Sequence, residues 1–226
     1  MPDQPLFQTP GYSHLGIAID LAAIIHHLME QHPMPKSILL LLLATLSAPA
    51  LAESSSYTLD PSHTYPCFAI SHMGFSTQRG CFDKTSGSVT LDRAAQTGAI
   101  HVRIDAASIH SGDKKRDEVL RGEQFFNAQK YPTIEFTADS MRFDGEKPVA
   151  VNGKLTLLGV TRPLRLTINH FKCGQNPMLK YDMCAADVST VLKRSDFGMN
   201  AYLPVIVGDE VTLQIQVEAI RNMWAN

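Results

Sequence analysis

The chain has 226 residues, and its 20 Lys and Arg nearly balance 22 Asp and Glu, for a formal net charge of −2. That balance gives no electrostatic ground for binding nucleic acid, and the length suits one domain with a sizeable core. Only one tract is strongly apolar, which excludes a protein that crosses a bilayer repeatedly as helices.

Residues 1–33 precede a second methionine, Met34, and read as a doubtful N-terminal extension. The alternative is a real tail with an amphipathic helix over Leu15 to Met29. His26 and His27 are adjacent, do not face each other on a helix, and make a poor metal pair. From Met34 to Ala52, MPKSILLLLLATLSAPALA has the layout of a secretory signal peptide. Lys36 gives the positive start, and Ile38 to Leu46 an apolar run too short to span a bilayer. Ala50-Leu51-Ala52, after the helix-breaking Pro49, is a small-x-small cleavage site. Cleavage after Ala52 predicts an exported domain over 53–226 outside the cytoplasm, with an uncleaved anchor as the alternative. Without residues 1–52 the chain loses Lys36, Asp3, Asp20 and Glu30 and becomes neutral.

The exported part alternates with period two. Ile100, Val102 and Ile104 share one face, as do Leu164, Leu166 and Ile168, and Val211, Leu213, Ile215 and Val217. Each run reads as a strand with one dry and one wet face. Eight strands are predicted, near 57–72, 79–91, 98–109, 132–144, 149–159, 163–172, 180–194 and 209–220. Turns are expected at Asp144-Gly145, Asn152-Gly153, Arg162-Pro163 and Gly208-Asp209. The fold class is therefore all-β: an antiparallel meander that closes most simply into an eight-stranded barrel. One segment breaks the alternation. KKRDEVLRGEQFF, Lys114 to Phe126, predicts a short helical insert over about 114–127, across one end of the barrel.

All four cysteines, Cys67, Cys81, Cys173 and Cys184, lie in the exported part, which suggests two disulfides. Three pairings exist; 67–81 and 173–184 are favoured because each would tie one hairpin. The spacing fits neither a C-x-x-C redox site nor a zinc site, and no metal or other cofactor is implied. His63, His72, His101, His110 and His170 are scattered without ligand spacing, and there is no G-x-S-x-G elbow or phosphate loop. Asp196-Phe197-Gly198 matches a kinase tripeptide without any other kinase part, so it carries no such meaning. No catalytic residue is assigned. A Ser–His–Asp grouping assembled in three dimensions stays open.

Alternation alone marks Phe68, Ile70, Phe82, Ile134 and Phe136 as wall residues, but leaves open whether they enclose space or pack each other. Met73, Phe75, Leu120, Phe125 and Phe126 gather where a mouth would lie, as a permanent cap or as a lid around a ligand.

The blocks YTLDPSHTYPCFAISHMGFSTQRGCF, RDEVLRGEQFFNAQKYPTIEFTA, GKLTLLGVTRPL, KRSDFGM and GDEVTLQIQVEAI occur in that order from Tyr57 to Ile220. Together they resemble the YceI-like family. The resemblance implies a periplasmic, lipocalin-like barrel that holds a polyisoprenoid or quinone-like lipid inside, and no catalytic reaction. It also favours the lid reading at the mouth. A transient inner-membrane contact and a homodimer are left open as partners.

Overall fold

The computed structural model describes residues 54–222. The extension over 1–33, the helix at 15–29 and the leader over 34–52 lie outside the described residues. The eight predicted strands are all present, three of them broken. β1 (Ser55–Leu59) and β2 (Tyr65–His72) make the first stave, and β3 (Ser76–Phe82) and β4 (Thr85–Asp92) the second. The third is β5 (Thr97–Asp105), a 3-10 turn over Ala106–Ser108, and β6 (Ile109–His110). The other five are β7 (Thr133–Asp144), β8 (Lys147–Leu157), β9 (Val160–Gln175), β10 (Asp182–Lys193) and β11 (Val207–Arg221).

Antiparallel pairing runs β1-β4-β5-β7-β8-β9-β10-β11, and β11 returns to β1, which closes the barrel. β11 pairs with β1 through Ala219 to Arg221, and with β2 from Val207 to Gln216. The breaks let one stave curve around the barrel without losing hydrogen bonds. At the first, Asp60 accepts from the Ser62 N–H at 2.9 Å and the Ser62 hydroxyl at 2.6 Å. Asp60 also donates its own N–H to Glu218 O at 2.8 Å. Such local side-chain bonds offer the backbone an alternative to the ladder, which is why Asp and Ser punctuate strands.

α1 spans Lys114–Arg121, opened by Asp113, whose carboxylate accepts from the Arg116 N–H. It stops at Gly122. The predicted 114–127 insert therefore continues as turns, with Phe126 N–H bonded to Leu120 O and Ala128 N–H to Arg121 O. Arg121 donates to Ala107 O at 2.7 Å and Ile109 O at 2.9 Å, pinning the insert to the third stave.

Three of the four predicted turns fall inside strands. Asn152-Gly153 sits mid-β8, opposite Arg165 and Leu164, and Arg162-Pro163 lies in β9 opposite Leu155 and Lys154. Gly153 serves contact rather than turning: a Cβ there would come 2.5 Å from the Phe136 ring. The real connection is Leu158-Gly159, both at positive φ. Gly208-Asp209 likewise belongs to β11, at a register shift between Val207 and Val211.

Candidate functional site: an apolar lumen

Strand alternation sends one row of side chains from every stave inward. In a filled barrel, mid-strand residues of that row would be fully buried. Here Ile100, Val102, Ile104, Ile168, Leu213 and Ile215 face inward yet are only half-buried. They border a cavity of about 270 Å³. It extends from Tyr57, Leu91 and Phe171 near the chain ends to Ile70, Leu120 and Val207 at the end carrying α1. A lumen that long and narrow suits one slender apolar ligand.

Polar side chains in the wall are few, and their polar atoms are turned to the protein. Thr64 donates its hydroxyl to Glu218 O at 3.2 Å. Arg194, 2% exposed, donates to the carbonyls of Gly208, Met199, Ala201 and Val207. Burial pulls its guanidinium below the usual range, opposed by the nearby Asp209 carboxylate, and arginine still stays protonated. The Thr85 hydroxyl is buried without a partner. Apart from that one hydroxyl, the lumen offers a ligand only hydrocarbon contact.

Eight of the ten residues singled out in the sequence border this space: Phe68, Ile70, Phe82, Leu120, Phe125, Phe126, Ile134 and Phe136. At the α1 end Phe126 meets Phe82 edge-on at 5.3 Å and Phe68 at 6.4 Å. Phe125 stacks on Tyr202 at 6.1 Å. Met73 and Phe75 stand apart. They occupy the β2–β3 hairpin tip, 49% and 91% exposed, with Met73 and Gly74 at positive φ turning them outward. Arg194 and Thr64 went unnoticed in the sequence, because nothing in a local pattern marks a buried arginine. Gly198 ends the 3-10 turn over Arg194–Phe197 in the left-handed region, at φ 83°.

Both favoured disulfides are present, Cys67–Cys81 across β2 and β3 and Cys173–Cys184 across β9 and β10, and no cysteine is free. Asp60, His63 and Glu218 make the one group of three metal-ligating side chains among the described residues. It lies on the outside, where it fastens the first stave's break. His63 Nδ1 is 2.7 Å from Asp60 Oδ2 and 3.1 Å from Ser62 Oγ. A hydrolytic relay uses both imidazole nitrogens, one toward serine and one toward the carboxylate. Here one nitrogen faces both, so the trio is a turn lock.

Residues 57–219 match the YceI-like domain. A UPF0312 protein of Shewanella baltica is 32% identical over 192 residues, covering 83% of this chain and all of the relative. Among solved structures, BcnA of Burkholderia cenocepacia superposes with a TM-score of 0.61 at 25% identity, over 71% of this chain and 98% of its own. A polyisoprenoid-binding domain from Saccharophagus degradans shares the fold at 16% identity, with a TM-score of 0.54 over 74% of this chain and 98% of that one.

Proposed function

Because this chain belongs to the YceI-like family, we propose that it is an exported, non-catalytic carrier that holds one polyisoprenoid or isoprenoid-quinone lipid with its chain inside the lumen. The observation that carries this reading is a continuous lumen whose wall is hydrocarbon except for the one buried, unpaired hydroxyl of Thr85. Hydrocarbon burial would drive binding, at roughly 25 cal/mol per Å² of apolar surface removed from water. With a single buried hydroxyl as its only polar partner inside, a headgroup stays at one end. Phe68, Ile70, Phe82, Ile134 and Phe136 contact the chain, while Leu120, Phe125 and Phe126 close over it at the α1 end. The likeness to a barrel described as polyisoprenoid-binding supports the ligand class.

Two disulfides belong to an oxidising compartment. With the Met34–Ala52 leader, they support export to the periplasm. Extracting the purified protein with organic solvent and running mass spectrometry on the extract tests the function. The expected result is a long-chain isoprenoid in stoichiometric amount. No such lipid, together with failure of isoprenols to displace a hydrophobic dye, overturns it in favour of a barrel with no lipid role.

A further inference from the structure

One end of the barrel is apolar on the outside as well as within. Three connections meet there: the β2–β3 hairpin, the insert that contains α1, and residues 194–206 between β10 and β11. They are bonded into one platform. Met73 N–H donates to Ile206 O at 2.9 Å, the Tyr202 hydroxyl to Gln124 Oε1 at 3.1 Å, and Arg116 to Gln78 Oε1 at 2.7 Å. From that platform Met73, Phe75, Val119, Tyr202, Val205 and Ile206 project into solvent, Phe75 at 91% and Val205 at 77% exposure. Apolar residues gathered on fixed tips mark an interaction surface.

The rim is continuous with the lumen. Tyr202 stacks on the buried Phe125, which lines the cavity, and Val207 and Ile70 line it directly beyond Ile206 and His72. Lys114 and Lys115 on α1 and Arg79 on β3 are exposed at this end and form no ion pair among the described residues. Their charge complements lipid phosphates, whereas the exposed acids Asp113, Glu118 and Glu123 keep this end from being strongly basic. Both ends of the described chain, and the hairpin bearing Met178 and Leu179, lie at the opposite end of the barrel.

We propose that this end docks on a lipid bilayer, with Phe75 and Val205 entering the headgroup–acyl boundary so that a lipid chain passes between membrane and lumen without crossing water. The choice of a bilayer as occupant rests on the isoprenoid reading above. Convex apolar tips beside the end of the lumen also suit an interface with acyl chains better than a flat face between two copies. Apolar insertion leads and charge assists, so docking persists on neutral vesicles and strengthens on anionic ones.

The test uses the full chain and places a reporter at each end of the barrel. Phe75→Trp and Met178→Trp are each made in a Trp224→Phe background and mixed with phosphatidylcholine–phosphatidylglycerol vesicles carrying brominated acyl chains. The expected result is a blue shift and loss of most of the emission from position 75, with position 178 unchanged, whatever the leader segment contributes to binding. Quenching at both positions, at 178 alone, or at neither overturns the proposal. So does a concentration-dependent dimer abolished by Phe75→Ser with Val205→Ser, since the rim would then cover a second copy. Dye displacement by isoprenols, run in parallel without vesicles, reports on the carrier reading alone, so the two failures are told apart.

Discussion

Phe126 stands edge-on to Phe82 with ring centroids 5.3 Å apart, which ties the insert after α1 to the wall of the second stave. The contact is made by side chains alone, with no backbone hydrogen bond between these two segments among the described residues. Edge-to-face aromatic pairs are worth about 0.5–1.5 kcal/mol beyond burial. Phe126→Ala therefore costs about 1–3 kcal/mol, less than deletion of a fully buried ring, because Phe126 is half-buried. Urea unfolding checks the stability. If the carrier reading holds, release of a bound isoprenoid speeds up in the same variant, measured by transfer to acceptor vesicles. An unchanged release rate would mean that the lipid enters and leaves elsewhere.

The two disulfides close loops of 14 and 11 residues in sequence separation. Loops of that size correspond to roughly 3 kcal/mol of chain entropy removed from the unfolded state. Replacing both Cys67 and Cys81 by Ser, or both Cys173 and Cys184, is expected to lower Tm while the barrel still folds. The second pair matters more locally, because Cys184 is buried beside Tyr57, Leu59, Leu91 and Ala219. Its loss should shift near-ultraviolet dichroism from Tyr57; loss of the first pair should leave that signal alone.

Gly153 gives a sharper packing prediction. A methyl group there would lie 2.5 Å from the Phe136 ring and 2.5 Å from Thr137 O, inside any real contact. Gly153→Ala should cost about 1–3 kcal/mol by overpacking. Combining it with Phe136→Leu should recover part of the loss, and a double-mutant cycle on urea midpoints reads the coupling. Simple additivity would mean that the backbone carbonyl, not the ring, is the obstacle.

That glycine also shows where sequence reasoning stops. Asn-Gly is a strong local turn signal, yet in β8 it is overruled by a ring on the neighbouring strand, which no window of sequence contains. The eight staves were legible because period-two alternation is a local property of Ile100–Ile104 or Val211–Val217. Whether the dry face encloses space was not. Val102 has the same sequence signature in a packed core and beside a hollow, and only the opposing wall decides. Arg194 escaped for the same reason: its carbonyl partners come from residues 199–208 after the chain has turned back. Phe75 is expected at the mouth, as a cap or a lid around a ligand, and the turn at Met73-Gly74 sends it outward.

The break in the first stave should respond to pH in two windows. Hydrogen bonds from Ser62 and His63 hold the Asp60 carboxyl below its ordinary range. Its contribution is therefore present above the unfolded carboxylate range and is lost as pH falls through the lower folded value. The bond to Asp60 raises His63, so its contribution is full below the usual histidine range and fades as pH rises through the raised value. His63→Asn should flatten the Tm profile on the neutral side and leave the acid limb in place. Asp60→Asn should remove the neutral limb and only part of the acid one, because Asp117, Glu135 and Asp209 are also held below the ordinary carboxylate range. A neutral limb that survives His63→Asn would assign the titration to another histidine.

Arg194 offers the most demanding test of what holds the α1 end together. Its guanidinium gathers the carbonyls of Met199, Ala201, Val207 and Gly208 at 2.8 to 3.1 Å, while Asp209 is spent on the Ser195 N–H and hydroxyl. The charge is thus solvated by backbone dipoles rather than matched by a direct carboxylate. Arg194→Met fills similar volume but leaves carbonyls with no donor, at about 1–3 kcal/mol for each that water cannot reach. A total loss of about 3 kcal/mol or more is expected, with faster proteolysis confined to residues 199–207. Arg194→Lys keeps the charge but cannot span four acceptors in a fork, so it should recover only part of the loss. If Arg194→Met is as stable as the parent, water enters the end loop freely, and that end of the lumen is wet rather than sealed.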